Sequence, residues 1–238
     1  MKTTSLLLAS CFTFASLATP SLAQKPEADR GEIALRYAGL LAKNRQSLMN
    51  YSWQLRIEVA KGGELQYIDL KQARYTADGR LQLSKIAQDL QVRQRHGALR
   101  ARRQDKKLAE ISGAVDGLRE TLLGYVYMTR GNAVDFFDRA KVMPAAAYDG
   151  IVRVDGRDVL RPGDSVTLYV DSATGSPLQQ VVRTPMGGGA VFAATVNFRH
   201  LRSNAAFYAD QIDAQLLTED PDDSLNIKVE SFDFMKQL

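Results

Sequence analysis

The sequence predicts a mainly β protein in which a single large curved antiparallel sheet, or unclosed β-barrel, is covered by about three helices. Residues 51–59, YSWQLRIEV, alternate between apolar and polar side chains, which is typical of a strand with one dry and one wet face. After residue 148, short β-forming segments alternate with turns, whereas only three segments of the chain show helical spacing. About nine strands and so few helices favour one bulged sheet whose apolar face the helices partly cover.

The first 23 residues have the pattern of an export signal. Lys2 is followed by an apolar run, and Pro20 precedes a small-residue site that ends at Ala23. A lipidation box ending at Cys11 competes with this site, but it would leave an apolar core too short for translocation. We therefore expect cleavage after Ala23 and export to the periplasm.

Residues 24–238 are expected to form a single domain with a helical insertion at about 87–144. Because Cys11 is the only cysteine, the exported chain would have no disulfide and no cysteine metal site, and it would depend on its core. No later segment reaches the ~20 apolar residues of a membrane helix, so we expect no transmembrane segment in the mature chain.

Apolar spacing and turn residues predict the elements in order. The N-terminal part contains a helix over 27–50 and strands over 51–59, 64–76 and 81–86. The C-terminal part contains strands near 150–155, 165–171, 178–184, 190–200, 206–217 and 225–235. Changes in apolar phase predict bulges near Tyr67 and at Ser231.

The segment between these two parts is predicted to be helical after a basic connector. The connector spans residues 87–104 and is interrupted by Gly97. A long helix is predicted over 105–128 and a shorter one over 132–142, which Pro144 ends.

Residues that could carry out catalysis are scarce. The two histidines, His96 and His200, lie in the connector and at the end of a strand, and we expect structural roles for both. The sequence contains no nucleophile elbow, HExxH helix, phosphate-binding loop or dinucleotide fingerprint. It therefore predicts a protein that is not an enzyme and that needs no cofactor or metal.

Charge is distributed unevenly along the chain. Residues 84–107 carry eight basic and two acidic side chains, whereas residues 205–238 carry eight acidic and two basic ones. One interpretation is that Arg100, Arg102 and Arg103 contact anionic lipid headgroups at a membrane surface. The other is a solvated connector paired with the acidic end. The basic run has no interleaved aromatic residues for base stacking, so we expect no nucleic-acid partner.

The segment 164–181, DSVTLYVDSATGSPLQQV, resembles a hairpin of the LolA/LolB-like superfamily of periplasmic lipoprotein carriers. The resemblance lies in a strand, the turn Asp-x-x-Thr-Gly-x-Pro and the next strand, and it extends more loosely to 190–199. It implies an unclosed antiparallel barrel whose apolar concavity is plugged by helices. It also implies binding of acyl chains or other lipids, or a sensor role, in the cell envelope without a cofactor. Residues 105–142 lie where lid helices would be inserted.

The resemblance further implies an apolar cavity that buries its ligand reversibly. The residues expected to line this cavity are Trp53, Leu55, Ile57, Leu122, Phe136, Phe192, Val196 and Phe198. The ligand would be a lipid or an acylated protein, and the protein would be a lipid or lipoprotein carrier or chaperone. The alternative is a ligand-free envelope interaction or sensor module whose concavity is filled by its own helices.

Overall fold

The computed structural model of the protein describes residues 30–90, 98–146, 148–202 and 206–237. These residues contain three α-helices, one short 3-10 helix (Pro221–Asp223) and ten strands. None of the described helices is both long and apolar enough to cross a membrane. The predicted export signal and His96 lie outside the described residues.

The bounds of the elements follow the chain from the first described helix to the last strand. The helices are α1 (Arg30–Leu48), α2 (Ala98–Val126) and α3 (Arg130–Arg139). The strands are β1 (Tyr51–Lys61), β2 (Glu64–Tyr75), β3 (Leu81–Leu90), β4 (Lys141–Pro144), β5 (Ile151–Arg157), β6 (Ser165–Asp171), β7 (Pro177–Pro185), β8 (Val191–His200), β9 (Phe207–Leu217) and β10 (Leu225–Lys236).

All ten strands form one antiparallel sheet in the order β3-β2-β1-β10-β9-β8-β7-β6-β5-β4. β10 lies between β1 and β9, so the first and last strands meet in the interior of the sheet. β3 and β4 are its opposite edges, and within the described residues the sheet is not closed into a barrel. The predicted fold class, mainly β with one open antiparallel sheet and three helices, is confirmed.

The predicted helix over 132–142 is wrong at its C-terminal end. α3 ends at Arg139, and the next residues form the edge strand β4, which pairs with β5. Val142 lies opposite Val154 and packs against the same core cluster. A strand of four residues is too short for its alternation to be distinguished from the end of an apolar helix.

The predicted connector over 87–104 is also wrong, because both of its described ends are regular structure. β3 continues to Leu90, which pairs with Tyr67 of β2, and α2 begins at Ala98. Arginine and alanine, which dominate the first turns of α2, are good helix formers. The high positive charge of this segment therefore did not exclude a helix.

Of the two predicted bulges, one is confirmed and one is displaced. In β2, Gln66 is the extra residue next to Tyr67, as the change in apolar phase predicts. In β10, Ser231 pairs regularly with Leu55, so the prediction of a bulge at that residue is wrong. The irregularity comes two residues later, at Asp233, whose φ of 51° lies in the left-handed region.

The helices cover one face of the sheet, which we call the inward face. One row of directly paired residues crosses all ten strands on this face. The row consists of Val142, Val154, Leu168, Gln180, Val196, Ile212, Val229, Ile57, Asp69 and Gln88. Paired residues point to the same side of a sheet, so the row is apolar from β4 to β1 except at Gln180, and it becomes polar at Asp69 and Gln88 in β2 and β3.

The inward face carries two separate apolar clusters. In the first, which we call the α1/α3 region, α1 and α3 pack chiefly on β5, β6 and β7. Tyr37 and Phe137 are in ring contact at 5.6 Å there, and both are fully buried. In the second, which we call the α2 region, α2 packs over β1, β2, β8, β9 and β10. One helix therefore covers five strands in the α2 region, whereas two helices cover three in the other.

Candidate functional site

A cleft lies in the α2 region, between α2 and the inward face of the sheet. The cleft encloses about 1030 Å³ when its open mouth is included, but only about 100 Å³ within it is accessible to water. The cleft is therefore narrow. Its lining is mostly apolar and comes from β1, β2, β3, β8, β9, β10 and α2.

Two sequence periods build the walls of this cleft. The period-two pattern of β1 turns Trp53, Leu55 and Ile57 towards the helix, and all three line the cleft. On α2, Leu118 and Leu122 are four residues apart, so they lie on one side of the helix and face the sheet. A strand pattern and a helix pattern thus meet across an apolar gap.

Aromatic rings close one end of the cleft. Trp53 stacks on Phe234, with ring centroids 5.4 Å apart and planes 10° apart, and it also contacts Tyr75 at 5.8 Å. Tyr75 meets Tyr127 edge-on at 6.4 Å. Burial raises the pKa of both tyrosine hydroxyls above the ordinary value, and therefore both remain neutral at physiological pH.

The other end of the cleft is a polar mouth. It is formed by Tyr67, Asp69 and Lys71 of β2 and by Ser112, Asp116 and Arg119 of α2. The same six residues also line an open, more polar groove that continues towards β3 and the first half of α2. The site as a whole is therefore amphipathic, with an apolar interior and a charged entrance.

Two ion pairs balance the charges of the polar mouth. Arg119 Nη1 donates to Asp116 Oδ1 at 2.7 Å, and Lys71 Nζ lies 3.5 Å from Asp69 Oδ2. Burial, together with the negative charges of Asp69 and Asp116, raises the pKa of Tyr67 to about 12, although a hydrogen bond with Ser112 opposes the shift. Both carboxylates therefore contribute negative potential at the Tyr67 hydroxyl.

The structure brings five of the eight expected lining residues together around the cleft: Trp53, Leu55, Ile57, Leu122 and Phe192. Val196 is fully buried in the same apolar cluster, and Phe198 is half-buried between the two clusters. Phe136 lies in the α1/α3 region, where its ring covers Gly156 so closely that an added Cβ would be 2.5 Å from Phe136 Cε2. Contact of any of these residues with a lipid stays a prediction.

The sequence interpretation missed the polar mouth. Tyr67, Asp69 and Lys71 share the phase of the inward face of β2, so two charged residues interrupt a face that should be dry. On α2, Asp116 and Arg119 lie on the side that faces them. The polar mouth could have been predicted from the charged residues at buried positions of β2, together with the charged residues on the facing side of α2.

The described interaction between the basic run and the acidic end of the chain is electrostatic, because the charge of Lys107 acts on Asp223, which pairs directly with Lys61 of β1. Lys61 Nζ pairs with Asp223 at 2.7 Å, and this hydrogen bond, helped by the charges of Lys61 and Lys107, lowers the pKa of Asp223. Arg102 is exposed, while the side chains of Arg100 and Arg103 lie outside the described part of the structure. Contact of the three arginines with anionic headgroups stays a prediction.

The turn that carries the family resemblance holds its shape through Asp171. Asp171 Oδ1 accepts hydrogen bonds from Ala173 N at 2.9 Å and from Thr174 N at 2.8 Å. Gly175 follows with a φ of +76°, a conformation that residues with a Cβ rarely adopt.

The same turn docks onto α1. An added Cβ at Gly175 would lie 2.8 Å from Arg36 Cβ and 2.9 Å from Tyr37 N, so only glycine fits against the helix. Arg36 Nη1 donates to the carbonyl oxygens of Ser172 and Ala173, each at 2.8 Å. The residues of this turn therefore contribute to the packing of the α1/α3 region, and none of residues 171–175 lines the cleft.

Metal and histidine chemistry find little support in the described residues. Among them, no group of three or more histidine, cysteine, aspartate or glutamate side chains is arranged to hold a metal ion. His200 is exposed, and its ring contacts Phe207 with centroids 6.4 Å apart.

Comparisons with known proteins give structural neighbours at low similarity. No family model and no curated protein matches the sequence. A DUF1329 family protein from Desulfovibrio piger is similar with a TM-score of 0.39 and 8% identity, over 88% of this chain and 94% of the neighbour. A LolA superfamily protein from Nitrosomonas europaea is similar with a TM-score of 0.35 and 10% identity, over 85% and 93%. The superfamily that residues 164–181 resemble is thus represented among the structural neighbours.

Proposed function

We propose that the protein is a non-enzymatic carrier or chaperone that binds the acyl chain of a lipid, or of an acylated protein, in the cleft beneath α2. The observation that carries this proposal is an apolar cleft that opens through a polar mouth. Burial of apolar chain is worth ~0.8 kcal/mol per CH₂. A long acyl chain would therefore gain about 10 kcal/mol before the costs of ordering it and of moving α2.

The attachment of α2 supports a route for ligand entry. At its C-terminal end, the Tyr125 hydroxyl donates to Asp164 Oδ2 at 2.6 Å, and Gln180 Nε2 donates to Tyr125 O at 3.1 Å. The described side chains between residues 102 and 110 are exposed or half-buried. Tilting of α2 about its anchored end would widen the narrow cleft and admit a chain.

The location and surface contacts of this carrier are part of the proposal. Export to the periplasm rests on the signal pattern that ends at Ala23. Contact with an anionic membrane surface rests on the positive charge of the first turns of α2, which include Arg102. Together they would place the cleft near the lipids from which a ligand would be collected.

The alternative is a ligand-free interaction or sensor module. The observation in its favour is the narrowness of the cleft, because Leu118 and Leu122 of α2 are already 4% and 7% exposed without any ligand. In such a module α2 would be a permanent part of the core.

Displacement of a fluorescent fatty acid from the full chain tests the two functions. We expect saturable binding, and Val115→Phe, which fills the cleft from α2, should weaken it by at least about tenfold because the ligand and the new ring need the same space. Val181→Phe, the same change on the half-buried outward face of β7, is the matched control and should leave binding intact. Absence of binding, together with no lipid in the native mass spectrum, would favour the interaction module.

A further inference from the structure

The polar mouth contains one buried carboxylate oxygen that the protein does not use. Asp69 is 6% exposed and lies on the inward face between Ile57 of β1 and Gln88 of β3. Its Oδ2 faces Lys71 Nζ at 3.5 Å, whereas its Oδ1 has no hydrogen-bond partner among the described residues. A buried acceptor left in this state costs free energy, so a ligand group that donates to it would be bound favourably.

The surroundings of this oxygen indicate what such a ligand would carry. The two cations of the mouth, Lys71 and Arg119, are each opposed by a carboxylate, Asp69 and Asp116. No surplus positive charge therefore remains in the described mouth for a carboxylate or phosphate head. The unmatched atom is Asp69 Oδ1, which belongs to a carboxylate whose other oxygen faces Lys71, and the charges of Asp69 and Asp116 both raise the pKa of the neighbouring Tyr67. The complementary partner is a cation with N–H donors.

We propose that Asp69 forms a headgroup subsite for amphiphiles with a primary ammonium group, whose acyl chain occupies the cleft. This inference rests on the proposed lipid-binding function. A primary ammonium has three N–H donors, so it can give Oδ1 a charge-assisted hydrogen bond and still face Asp116. A quaternary ammonium has the same charge but no N–H donor. The ammonium could belong to an ethanolamine phospholipid or to a simple long-chain amine.

Two pairs of probes with identical chains test the subsite in the unmodified protein. The first pair is 1-palmitoyl lysophosphatidylethanolamine and lysophosphatidylcholine, and the second is hexadecylammonium and hexadecyltrimethylammonium. Each is used below its aggregation concentration to displace the fluorescent fatty acid. We expect the N–H-bearing member to bind about tenfold more tightly, as one charge-assisted hydrogen bond would provide. A preference in the phospholipid pair alone points to the ethanolamine headgroup, and a preference in both pairs to the ammonium group itself.

Asp69→Asn tests whether this oxygen is responsible. The substitution keeps the shape of the side chain and removes its charge, so a hydrogen bond that the remaining amide oxygen accepts is no longer charge-assisted by a carboxylate, and the affinity ratio within each pair should fall towards one. Because the ratio is measured within one variant, a change in stability affects both probes alike. Asp213→Asn, on an exposed part of β9, is the matched control and should keep the wild-type ratio.

The outcomes separate this inference from the function on which it rests. If neither the fatty acid nor any of the four amphiphiles binds, by displacement or in the native mass spectrum, the proposed function fails. If the fatty acid binds but neither pair shows a preference, or if Asp69→Asn keeps the preference, the cleft binds chains without an ammonium subsite and only this inference is overturned.

Discussion

The α1/α3 region and the α2 region lie on the same face of one sheet, but the first is a closed core and the second contains a cleft. In the α1/α3 region, Tyr37, Phe137 and Leu168 are all fully buried. In the α2 region, Leu55 and Leu122 are 9% and 7% exposed, and a cleft remains beside them. Two helices on three strands close a core, whereas one helix on five strands leaves a gap. The number of strands that each helix must cover, rather than the apolar pattern of the strands, determines whether a region is a closed core or contains a cleft.

The polar members of the row that crosses the sheet show the same contrast. Gln180, in β7, is fully buried, and its amide nitrogen donates to Tyr125 O at 3.1 Å. Asp69, in β2, is also buried, and its Oδ1, like Gln180 Oε1, has no partner in the described residues, but Asp69 lines the cleft whereas Gln180 does not. The first polar group fastens a helix to the sheet, and the second is left available to a ligand.

The largest expected effect comes from matched leucine truncations in the two regions. Leu168→Ala should lower the free energy of unfolding by about 3–5 kcal/mol, because a closed core cannot collapse around the void. Leu55→Ala should cost about 1–3 kcal/mol, since its side chain already borders empty space and loses fewer contacts. Urea denaturation followed by circular dichroism measures both values.

Fatty-acid binding provides a second comparison of Leu55→Ala with Leu168→Ala. Leu55→Ala should change the affinity of the fluorescent fatty acid, whereas Leu168→Ala should not change it for the folded fraction. Equal stability losses with unchanged binding in both variants would mean that the two regions are one closed core.

The next effect concerns the turn that holds α1. Gly175→Ala should lower the free energy of unfolding by about 2–4 kcal/mol, because it combines an unfavourable positive φ with a clash against Arg36 and Tyr37. Gly187→Ala is the control, since its added Cβ would meet nothing within 4 Å. Thermal unfolding of the two variants measures the difference, and similar stabilities would show that α1 can move away from the turn at little cost.

A smaller effect is expected at the anchor that joins α2 to the α1/α3 region. Burial alone would raise the pKa of Asp164, but hydrogen bonds from the Tyr125 hydroxyl and from the backbone N–H groups of Val159, Leu160 and Arg161 hold it below its ordinary value. A carboxyl with a lowered folded-state pKa stabilises the protein above its unfolded-state pKa near 4, and that stabilisation is lost as the pH falls further. Stability should therefore decline below about pH 4.

Two substitutions separate this anchor from the other carboxylates. Asp164→Asn should remove its share of the acid sensitivity, so the stability curves of the variant and the parent should converge as the pH falls from about 5 to 2. Tyr125→Phe removes one hydrogen bond and should cost about 1–2 kcal/mol at neutral pH. Parallel curves over the whole pH range would assign the acid sensitivity to other groups.

Local patterns made much of the fold predictable from the sequence. The alternation of residues 51–59 fixed the inward side of β1, and the structure has Trp53, Leu55 and Ile57 on that side. β4 escaped prediction because its partner, β5, is a tertiary neighbour and four residues carry too little periodicity.

The arrangement of the two apolar clusters depended on tertiary contacts. Phe136 and Leu122 have similar apolar helical surroundings in the sequence, yet one packs on Gly156 and the other borders the cleft. Which strands each helix covers follows from the sheet order, which residue spacing alone does not contain.

The position of β10 has a consequence for the order in which the parts of the fold can form. β5, β6, β7 and β8 are consecutive in the chain and adjacent in the sheet, so the frame of the α1/α3 region depends on short loops. β1 instead pairs on one side with β10, which is made last, and its Ile57 lies opposite Val229, far away in the sequence. Pairing at this separation is entropically costly and slow. In a chain that emerges from its N-terminal end, the floor of the cleft would therefore be the last part to form, and its apolar strands would need protection until residues 225–236 emerge.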